Sequence, residues 1–146
     1  MNWEENILTR DEDIAELIRE TKTIAVLGIK PESHRQQPAF YVPEYAKRAG
    51  YEIVPVPVYY PEVTEILGEP VYRTVSAVPG EVDMVNVFRR AKDIDAHVED
   101  ILAKRPASVW FQLGIRNDGA AERFARAGID VVQDRCLLVE LGAIGK

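Results

Sequence analysis

The sequence predicts a three-layer α/β fold, in which helices cover both faces of a doubly wound parallel sheet. Short apolar segments of strand length alternate along the chain with amphipathic segments of helix length, which is the pattern of repeated βαβ units. The length of 146 residues fits a single domain over residues 1–146. The apolar fraction of 47% and the charged fraction of 29% are ordinary for a globular protein.

A helix over residues 9–20 is predicted ahead of the first strand. Thr9 and Glu12 have the spacing of a capping box, and apolar residues follow at helical intervals. The run Thr23–Gly28 is almost wholly apolar, as expected of a strand that is buried on both faces. We therefore expect the sheet to begin at this run.

A second helix and a second strand follow after a loop. The helix is expected to start at about Ala39, because Pro43 is tolerated only in a first turn, and Gly50 is a typical helix stop. Tyr51–Val56 has the composition of a strand. Its Pro55 indicates a strand end, since proline cannot donate a hydrogen bond to a neighbouring strand.

The second half of the chain repeats the alternation after an irregular segment, Pro61–Val82, in which we expect one short strand at Val71–Tyr72. Further strands are predicted at Asp83–Phe88, Ala107–Gly114 and Ile129–Gln133, helices over Ile94–Arg105 and from Asn117 to Gly128, and then a short tail. Because crossovers between parallel strands are right-handed, we expect the strand order 3-2-1-4-5, with room for a sixth strand.

Composition and charge exclude several classes of function. The net charge of −6 argues against broad nucleic-acid binding, which needs a basic face. A single cysteine, Cys136, cannot form an internal disulfide, and the two histidines match no metal-ligand spacing. No apolar run reaches the roughly 20 residues of a membrane helix, and the N-terminal residues show no secretory signal. We expect a soluble, cytoplasmic protein.

A ligand site is predicted beyond the carboxyl ends of the strands, at the point where the strand order reverses. In this chain that point lies between the first strand and Asp83–Phe88, so the loops Gly28–Pro38 and Phe88–Asp93 flank it. The segments Gln112–Asn117 and Pro57–Pro61 lie on either side.

These loops hold five of the 18 cationic residues, namely Lys30, Arg35, Arg89, Arg90 and Arg116. Helix N-termini at the same edge add N–H donors and the positive ends of helix dipoles. Together these features predict an anionic ligand, most simply a phosphate or diphosphate.

A nicotinamide or flavin dinucleotide is disfavoured on two counts. The tight turn that such ligands need has the pattern G-x-G-x-x-G, whereas the first loop here is longer and begins with the single glycine Gly28. An acidic residue at the end of the second strand should accept the ribose hydroxyls, and the segment Val54–Pro61 contains none. A P-loop and the clustered acids of a receiver domain are likewise missing from the first loop.

Five segments together resemble a known family. These are IAVLGIKP (24–31), ILGEPVY (66–72), VDMVNVFRR (82–90), VWFQLGIRN (109–117) and VVQDRCLLVE (131–140). They are similar to the small stand-alone CoA-binding proteins of bacteria and archaea, which themselves resemble the N-terminal CoA-binding domain of the succinyl-CoA synthetase α subunit. The resemblance covers about Thr23 to Glu140.

The resemblance implies a Rossmann-like domain that binds coenzyme A or an acyl-CoA. By matching segments, the ligand would contact Gly28, Ile29, Lys30, Pro31, Arg35, Pro57, Phe88, Arg89, Arg90, Gln112 and Ile115. Two departures affect the adenine and the pantetheine arm: the family more often ends its second strand with Asn-Pro, and its first loop commonly has an Asp-Arg-Pro-Ser-like stretch. Here these segments read VPVYYP (56–61) and HRQQP (34–38).

We expect a binding protein without chemistry of its own, because no nucleophile, base and orienting group can be assigned as a set. Such a protein could carry CoA, sense it, or present it to a partner enzyme. Two alternatives remain open: a nucleotide-dependent enzyme domain, either an NAD-type oxidoreductase or a CoA-transferring subunit that acts with a partner, and a purely structural interaction module. His97 is expected in mid-helix with no identifiable partner.

Overall fold

The computed structural model describes residues 2–146, and five parallel strands form its main sheet. The seven strands, in chain order, are β1 (Thr23–Leu27), β2 (Glu52–Val56), β3 (Glu65–Ile66), β4 (Glu69–Pro70), β5 (Met84–Val87), β6 (Ser108–Phe111) and β7 (Asp130–Val132). The main sheet has the order β2-β1-β5-β6-β7, and β3 and β4 form a separate antiparallel hairpin.

Helices cover both faces of the main sheet. They are α1 (Asp11–Glu20), α2 (Pro38–Arg48), α3 (Val98–Lys104), α4 (Asp118–Arg126) and α5 (Leu137–Ala143), with 3₁₀ helices at Trp3–Asn6, Glu32–His34 and Ala91–His97. Side chains from α1, α2 and α5 form one buried cluster with the sheet, and side chains from α3 and α4 form the other. The predicted three-layer, doubly wound α/β fold is confirmed.

The predicted strand order 3-2-1-4-5 is wrong in one respect. Val71–Tyr72 does not form a strand of the sheet; the chain turns back in the β3–β4 hairpin, and the Tyr72 N–H donates to the Pro55 carbonyl at 3.0 Å. A parallel strand needs a crossover of about a dozen residues or more, usually a helix, and Pro61–Val82 contains no helix. In chain order the five parallel strands therefore run 2-1-3-4-5 across the sheet.

Two element boundaries also differ from the sequence-based expectation. α1 begins at Asp11 with Arg10 as its N-cap, because the Arg10 side chain pairs with Glu12 and Thr9 makes no cap. The expected tail is instead the helix α5, whose Leu137 and Leu141 are buried against the sheet. Within residues 2–146, every helix is too short or too polar to cross a membrane.

The reversal of strand order survives these corrections, because β1 pairs with β2 on one side and with β5 on the other. β2 is an edge strand, which is why it accommodates Pro55. The carboxyl ends of β1 and β5 therefore lie side by side, with the loops that follow them facing each other across the switch point.

Candidate functional site

The loops after β1 and β5 meet at Gly28. Its backbone has φ +88°, and its N–H donates to the Val56 carbonyl at 2.9 Å. A Cβ on this residue would lie 2.3 Å from the carbonyl oxygen of Phe88, which is too close for any side chain. Position 28 thus requires glycine both for its dihedral angle and for the close approach of the two loops.

A shallow cleft opens at this junction and consists of two adjoining pockets. The pocket on the β2 side has a volume of about 200 Å³, and the pocket on the β6 side has a volume of about 450 Å³. Both are lined by Lys30, Phe88, Arg89 and Arg90. Gly28, Ile29, Val58, Tyr59 and Tyr60 complete the first pocket, and Gln37, Pro38, Ala39, Ala91, Gly114 and Ile115 complete the second.

Arg89 is far more enclosed than Arg90, with 17% of its side chain exposed against 73%. Its Nε–H donates to His97 Nε2 at 3.1 Å, and its Nη2 lies 4.0 Å from a carboxylate oxygen of Asp93. Its guanidinium carbon also lies 5.9 Å from the centre of the Tyr59 ring. Within residues 2–146 the Nη groups of Arg89 make no hydrogen bond, so their donors remain available to an anion.

Arg90 and Lys30 are held less firmly than Arg89. The Arg90 side chain is 73% exposed and donates from Nε to Asp93 Oδ2 at 3.1 Å. The Lys30 ammonium group donates to the Gln37 side-chain carbonyl. Both partners sit at the ends of flexible side chains, so each cation can reorient toward a ligand with little cost in lost contacts.

The backbone donors of the cleft differ from the expected set. The N–H groups of Gly28 and Lys30 are already bonded to the carbonyls of Val56 and Ala39, at 2.9 and 3.1 Å, and are not free to hold a phosphate. The N–H groups of Ile29 and Ala39 have no partner within residues 2–146. Ala39 lies in the first turn of α2, where N–H groups lack intrahelical acceptors.

Arg35 and Arg116, two of the five predicted cations, do not line the cleft. Arg35 lies over the Phe40 ring at 5.3 Å and its Nη1 is 3.7 Å from Glu44. Arg116 donates to Asp118 at 3.0 Å. Both side chains find local acidic or aromatic partners, and neither the loop position nor the sequence spacing distinguishes them from the cations that converge.

Three other residues that the family resemblance implied lie beside the cleft rather than on its surface. Pro31 and Pro57 are buried in the loops that follow β1 and β2. Gln112 is 4% exposed, and its side-chain carbonyl accepts from Asn86 at 3.3 Å and from the Leu137 N–H at 3.4 Å. Gln112 therefore links β5, β6 and α5 at the floor of the site.

Tyr59 is a cleft residue that sequence reasoning missed. It is 65% exposed beside Arg89, and the ring of the next residue, Tyr60, lies 5.3 Å from that of His34. The signal was present, since two consecutive tyrosines between prolines follow β2 at the ligand edge. An exposed aromatic ring beside a guanidinium offers a flat apolar surface to a ligand.

His97 ends the 3₁₀ helix Ala91–His97 and contacts the cleft through Arg89. Burial lowers the pKa of His97 below its usual 6.5, and the Arg89 charge lowers it further; Asp100 and Asp93 oppose the shift. The neutral ring is therefore favoured, and a neutral ring can accept the Arg89 hydrogen bond at Nε2.

Asn117 fixes the far side of the Ala91–His97 segment. Its side-chain carbonyl caps α4 by accepting from the Ala120 N–H at 3.0 Å. Its side-chain amide donates to the Ala91 carbonyl at 3.0 Å and to Asp95 at 3.1 Å. One side chain thus connects the start of α4 to the segment that carries His97.

A larger depression of about 710 Å³ lies elsewhere, between α1 and α5. Its two cations are Arg19 and Arg135, and Arg135 is 2.8 Å from Asp11 and 3.6 Å from Glu140. Asp11, Glu12 and Glu140 also line this depression, so its acids outnumber its cations, whereas within residues 2–146 no acidic residue lines the cleft at the switch point.

The fold and the cleft define a class: an α/β domain with a cationic cleft at the topological switch point of its parallel sheet. Residues 22–142 match the family model described as CoA binding domain. The chain belongs to this family, as the sequence resemblance predicted.

Two similar proteins match this chain over most of their length. The chain is 32% identical over 127 residues to the uncharacterized protein YneT of Bacillus subtilis (strain 168), covering 87% of this chain and 90% of YneT. A solved structure from Thermus thermophilus, cell-free ID.343, has a TM-score of 0.84 at 36% identity, covering 93% of this chain and 99% of that one.

A more distant structural neighbour is a dinucleotide-forming acetyl-coenzyme A synthetase 1 from Ca. Korarchaeum cryptofilum. Its TM-score is 0.64 at 19% identity, and the match covers 80% of this chain but 27% of the synthetase. At this identity the likeness concerns the fold: a domain of the same architecture is embedded in a much longer enzyme.

Proposed function

We propose that this protein binds coenzyme A or an acyl-CoA through its phosphate groups in the cleft at the carboxyl edge of the sheet. The observation that carries the proposal is the convergence of Lys30, Arg89 and Arg90 on one cleft of a protein with net charge −6. CoA carries a diphosphate and a 3′-phosphate, and a ligand with several phosphates rewards several cations.

The residues present fit this ligand in three ways. Arg89, Ile29 and Ala39 line the cleft, and the Nη groups of Arg89 and the N–H groups of Ile29 and Ala39 are unused donors within residues 2–146. Ala39 also lies at the start of an 11-residue helix whose dipole favours anions. Phe88 and Tyr59 supply apolar surface for an adenine ring or a pantetheine arm. CoA supplies a thiol for acyl groups when bound, and this chain supplies the binding surface.

We further propose that the protein binds without catalysing a reaction, as a carrier, a sensor or a subunit that presents CoA to a partner enzyme. The residues that line the cleft include no cysteine, serine, histidine, aspartate or glutamate. General acid–base or nucleophilic catalysis uses such a group, or a lysine or tyrosine, within hydrogen-bonding distance of the ligand. Lys30, Tyr59 and Tyr60 are the lining residues of these last two types, and the Lys30 ammonium group is paired with Gln37.

Thermal unfolding with a series of ligands tests the binding proposal. A ligand present at 100 times its Kd stabilises the folded state by about 2.7 kcal/mol, which corresponds to a rise in Tm of about 5–10 °C at this chain length. We expect this rise with CoA, a smaller rise with 3′-dephospho-CoA and little change with NAD. Equal shifts with NAD and CoA would favour the dinucleotide alternative and contradict the proposal.

A turnover assay tests the absence of catalysis separately. Acetyl-CoA incubated with a stoichiometric amount of the protein should be recovered intact by mass spectrometry. Release of free CoA beyond the rate in buffer, abolished by Lys30→Ala, would show that the chain performs chemistry on the ligand that it binds.

A further inference from the structure

The guanidinium of Arg89 has two neighbours of different kinds. His97 accepts from its Nε–H at 3.1 Å, and the centre of the Tyr59 ring lies 5.9 Å from its central carbon. Because Nε is used for this bond, the Nη groups, which make no hydrogen bond within residues 2–146, are the donors that Arg89 has left for a ligand of the cleft that it lines. The orientation of Arg89 therefore depends on a residue that does not itself line the cleft.

We propose that His97 is a positioning residue for anion binding: its neutral imidazole accepts the Arg89 Nε–H bond and fixes the guanidinium in the cleft, and protonation of His97 releases it. This inference rests on the proposed function, since it concerns how the same cleft holds a phosphorylated ligand. It adds a residue and a pH dependence that the cleft surface alone does not contain.

The charges around His97 determine the direction of the effect. Arg89 opposes protonation of the ring, whereas Asp93 and Asp100 favour it. From the neighbouring helices, Glu99 of α3 is paired with Arg123 of α4, and Asp95 accepts from Asn117. A protonated ring presents N–H groups at both nitrogens, so the acceptor for Arg89 is lost and two cations face each other. The extra positive charge is offset by Asp93 and Asp100, but the lost acceptor is not replaced.

Two substitutions of His97 separate its role as a hydrogen-bond acceptor for Arg89 from its change of charge with pH. His97→Gln places an amide oxygen near the position of Nε2 and does not titrate, whereas His97→Leu removes the acceptor while keeping an apolar side chain of similar bulk. Calorimetric titration with CoA at pH 7.5 and pH 5.5 gives the affinity of each variant. The 3′-phosphate of CoA, a phosphate monoester, also titrates in this range, with a second pKa near 6, and His97→Gln corrects for that contribution.

At pH 7.5 we expect His97→Gln to bind CoA within about threefold of the unsubstituted protein and His97→Leu to bind about tenfold more weakly, the loss of roughly one charge-assisted contact. As the pH falls from 7.5 to 5.5, the unsubstituted protein should lose more affinity than His97→Gln, because only the former can protonate residue 97. In an Arg89→Ala background, His97→Leu should have no further effect on affinity, since the two residues act as one unit.

The outcomes that contradict the inference are distinct from those that contradict the proposed function. Equal CoA affinities for the unsubstituted protein and His97→Leu, or a His97→Leu effect that persists fully in the Arg89→Ala background, would overturn the positioning role. Equal pH dependence for the unsubstituted protein and His97→Gln would overturn the release on protonation. No CoA binding by the unsubstituted protein at pH 7.5 would instead overturn the proposed function on which the inference rests.

Discussion

The depressions at the two ends of the β-sheet are lined by charges of opposite sign, and these charges differ in how they are paired. At the carboxyl end, Arg89 and Arg90 lie within 4.0 Å of Asp93 while keeping donors available in the cleft. At the amino end, a depression of about 260 Å³ is lined by Glu5, Asp13, Glu16, Glu20 and Asp130, with the apolar Leu8 and Leu17. Within residues 2–146, no cation lines this depression.

The acidic end is a source of strain in the folded state. Burial raises the pKa of Asp130 above its usual 3.8, and the neighbouring charges of Asp13 and Glu20 raise it further. At the cleft, in contrast, a single carboxylate, Asp93, lies within 4.0 Å of both Arg89 and Arg90, and Lys30 is paired with the neutral Gln37. The amino end therefore concentrates negative charge, whereas the carboxyl end concentrates the cations of the proposed site.

The largest effect is expected at Gly28, where the two loops of the cleft meet, and it tests whether the carboxyl end of the sheet is built as described. Gly28→Ala places a Cβ 2.3 Å from the Phe88 carbonyl oxygen at φ +88°, and we expect a loss of about 3 kcal/mol in the free energy of unfolding. Urea unfolding measures it. Gly50→Ala is the matched control, because Gly50 has φ +105° with nothing within 4 Å of a Cβ, and should cost about 1 kcal/mol. Equal losses would mean that the loops do not meet as described.

The second effect concerns the cations. Arg89→Ala should weaken CoA binding by about 10- to 100-fold, the range for one or two charge-assisted hydrogen bonds, and the loss should be larger at low salt than at high salt. Isothermal titration measures the affinity. Arg35→Ala is the control, because Arg35 is bound to Glu44 and Phe40 away from the cleft, and should change Kd by less than about twofold. A larger effect for Arg35 than for Arg89 would place the ligand on the outer side of α2.

The smallest effect is expected at Asp130, in the acidic depression at the amino end of the sheet. Because the folded-state pKa of Asp130 is raised above 3.8, the unfolded state releases its proton first, and this residue lowers stability as the pH rises through that folded value. Asp130→Asn removes the penalty, so Tm at pH 7 should rise by about 1–2 °C after allowance for solvent screening. The gain should vanish below pH 3.8, where the carboxyl is protonated in both states.

Asp118 provides the control of opposite sign for this measurement. Its pKa is lowered by hydrogen bonds from Gln133 and Arg116 and by the Arg116 charge, so its ionised form stabilises the folded state above the unfolded pKa. Asp118→Asn should therefore lower Tm slightly at pH 7, and the deficit should shrink as the pH falls through the lowered value. A rise in Tm for both variants would indicate a general effect of net charge rather than of location.

The sequence predicts the sheet, its layers and its switch point because these depend on short-range periodicity. Strands such as Thr23–Leu27 are almost wholly apolar, and the Asn117 cap lies directly before its helix. The strand order beyond β2 depends on whether Pro61–Val82 crosses over to add a parallel strand or turns back. That choice depends on contacts with β2, which no local sequence pattern encodes. α5 was missed because a seven-residue helix is stabilised by packing rather than by its own propensity.

The site shows the same division. Loop position identified Lys30, Arg89 and Arg90, because all loops after parallel strands open at one edge. It could not distinguish Arg35 and Arg116, whose local partners draw them away. It also could not show that the N–H groups of Gly28 and Lys30 donate to backbone carbonyls within the fold. The His97 contact joins residues eight positions apart across a loop and a 3₁₀ turn, a geometry without a sequence signature.

The Asn117 side chain connects the cleft to α4, a helix whose residues do not line the cleft. The same amide begins α4 and tethers Ala91 and Asp95 on the loop that bears Arg90 and His97. Displacement of that loop breaks the tether, leaves the side chain free to rotate, and weakens the hydrogen bond to Ala120. Movement of the loop should therefore increase fraying at the N-terminus of α4. Amide hydrogen exchange in the first turn of α4 would measure this fraying, and so report on the loop.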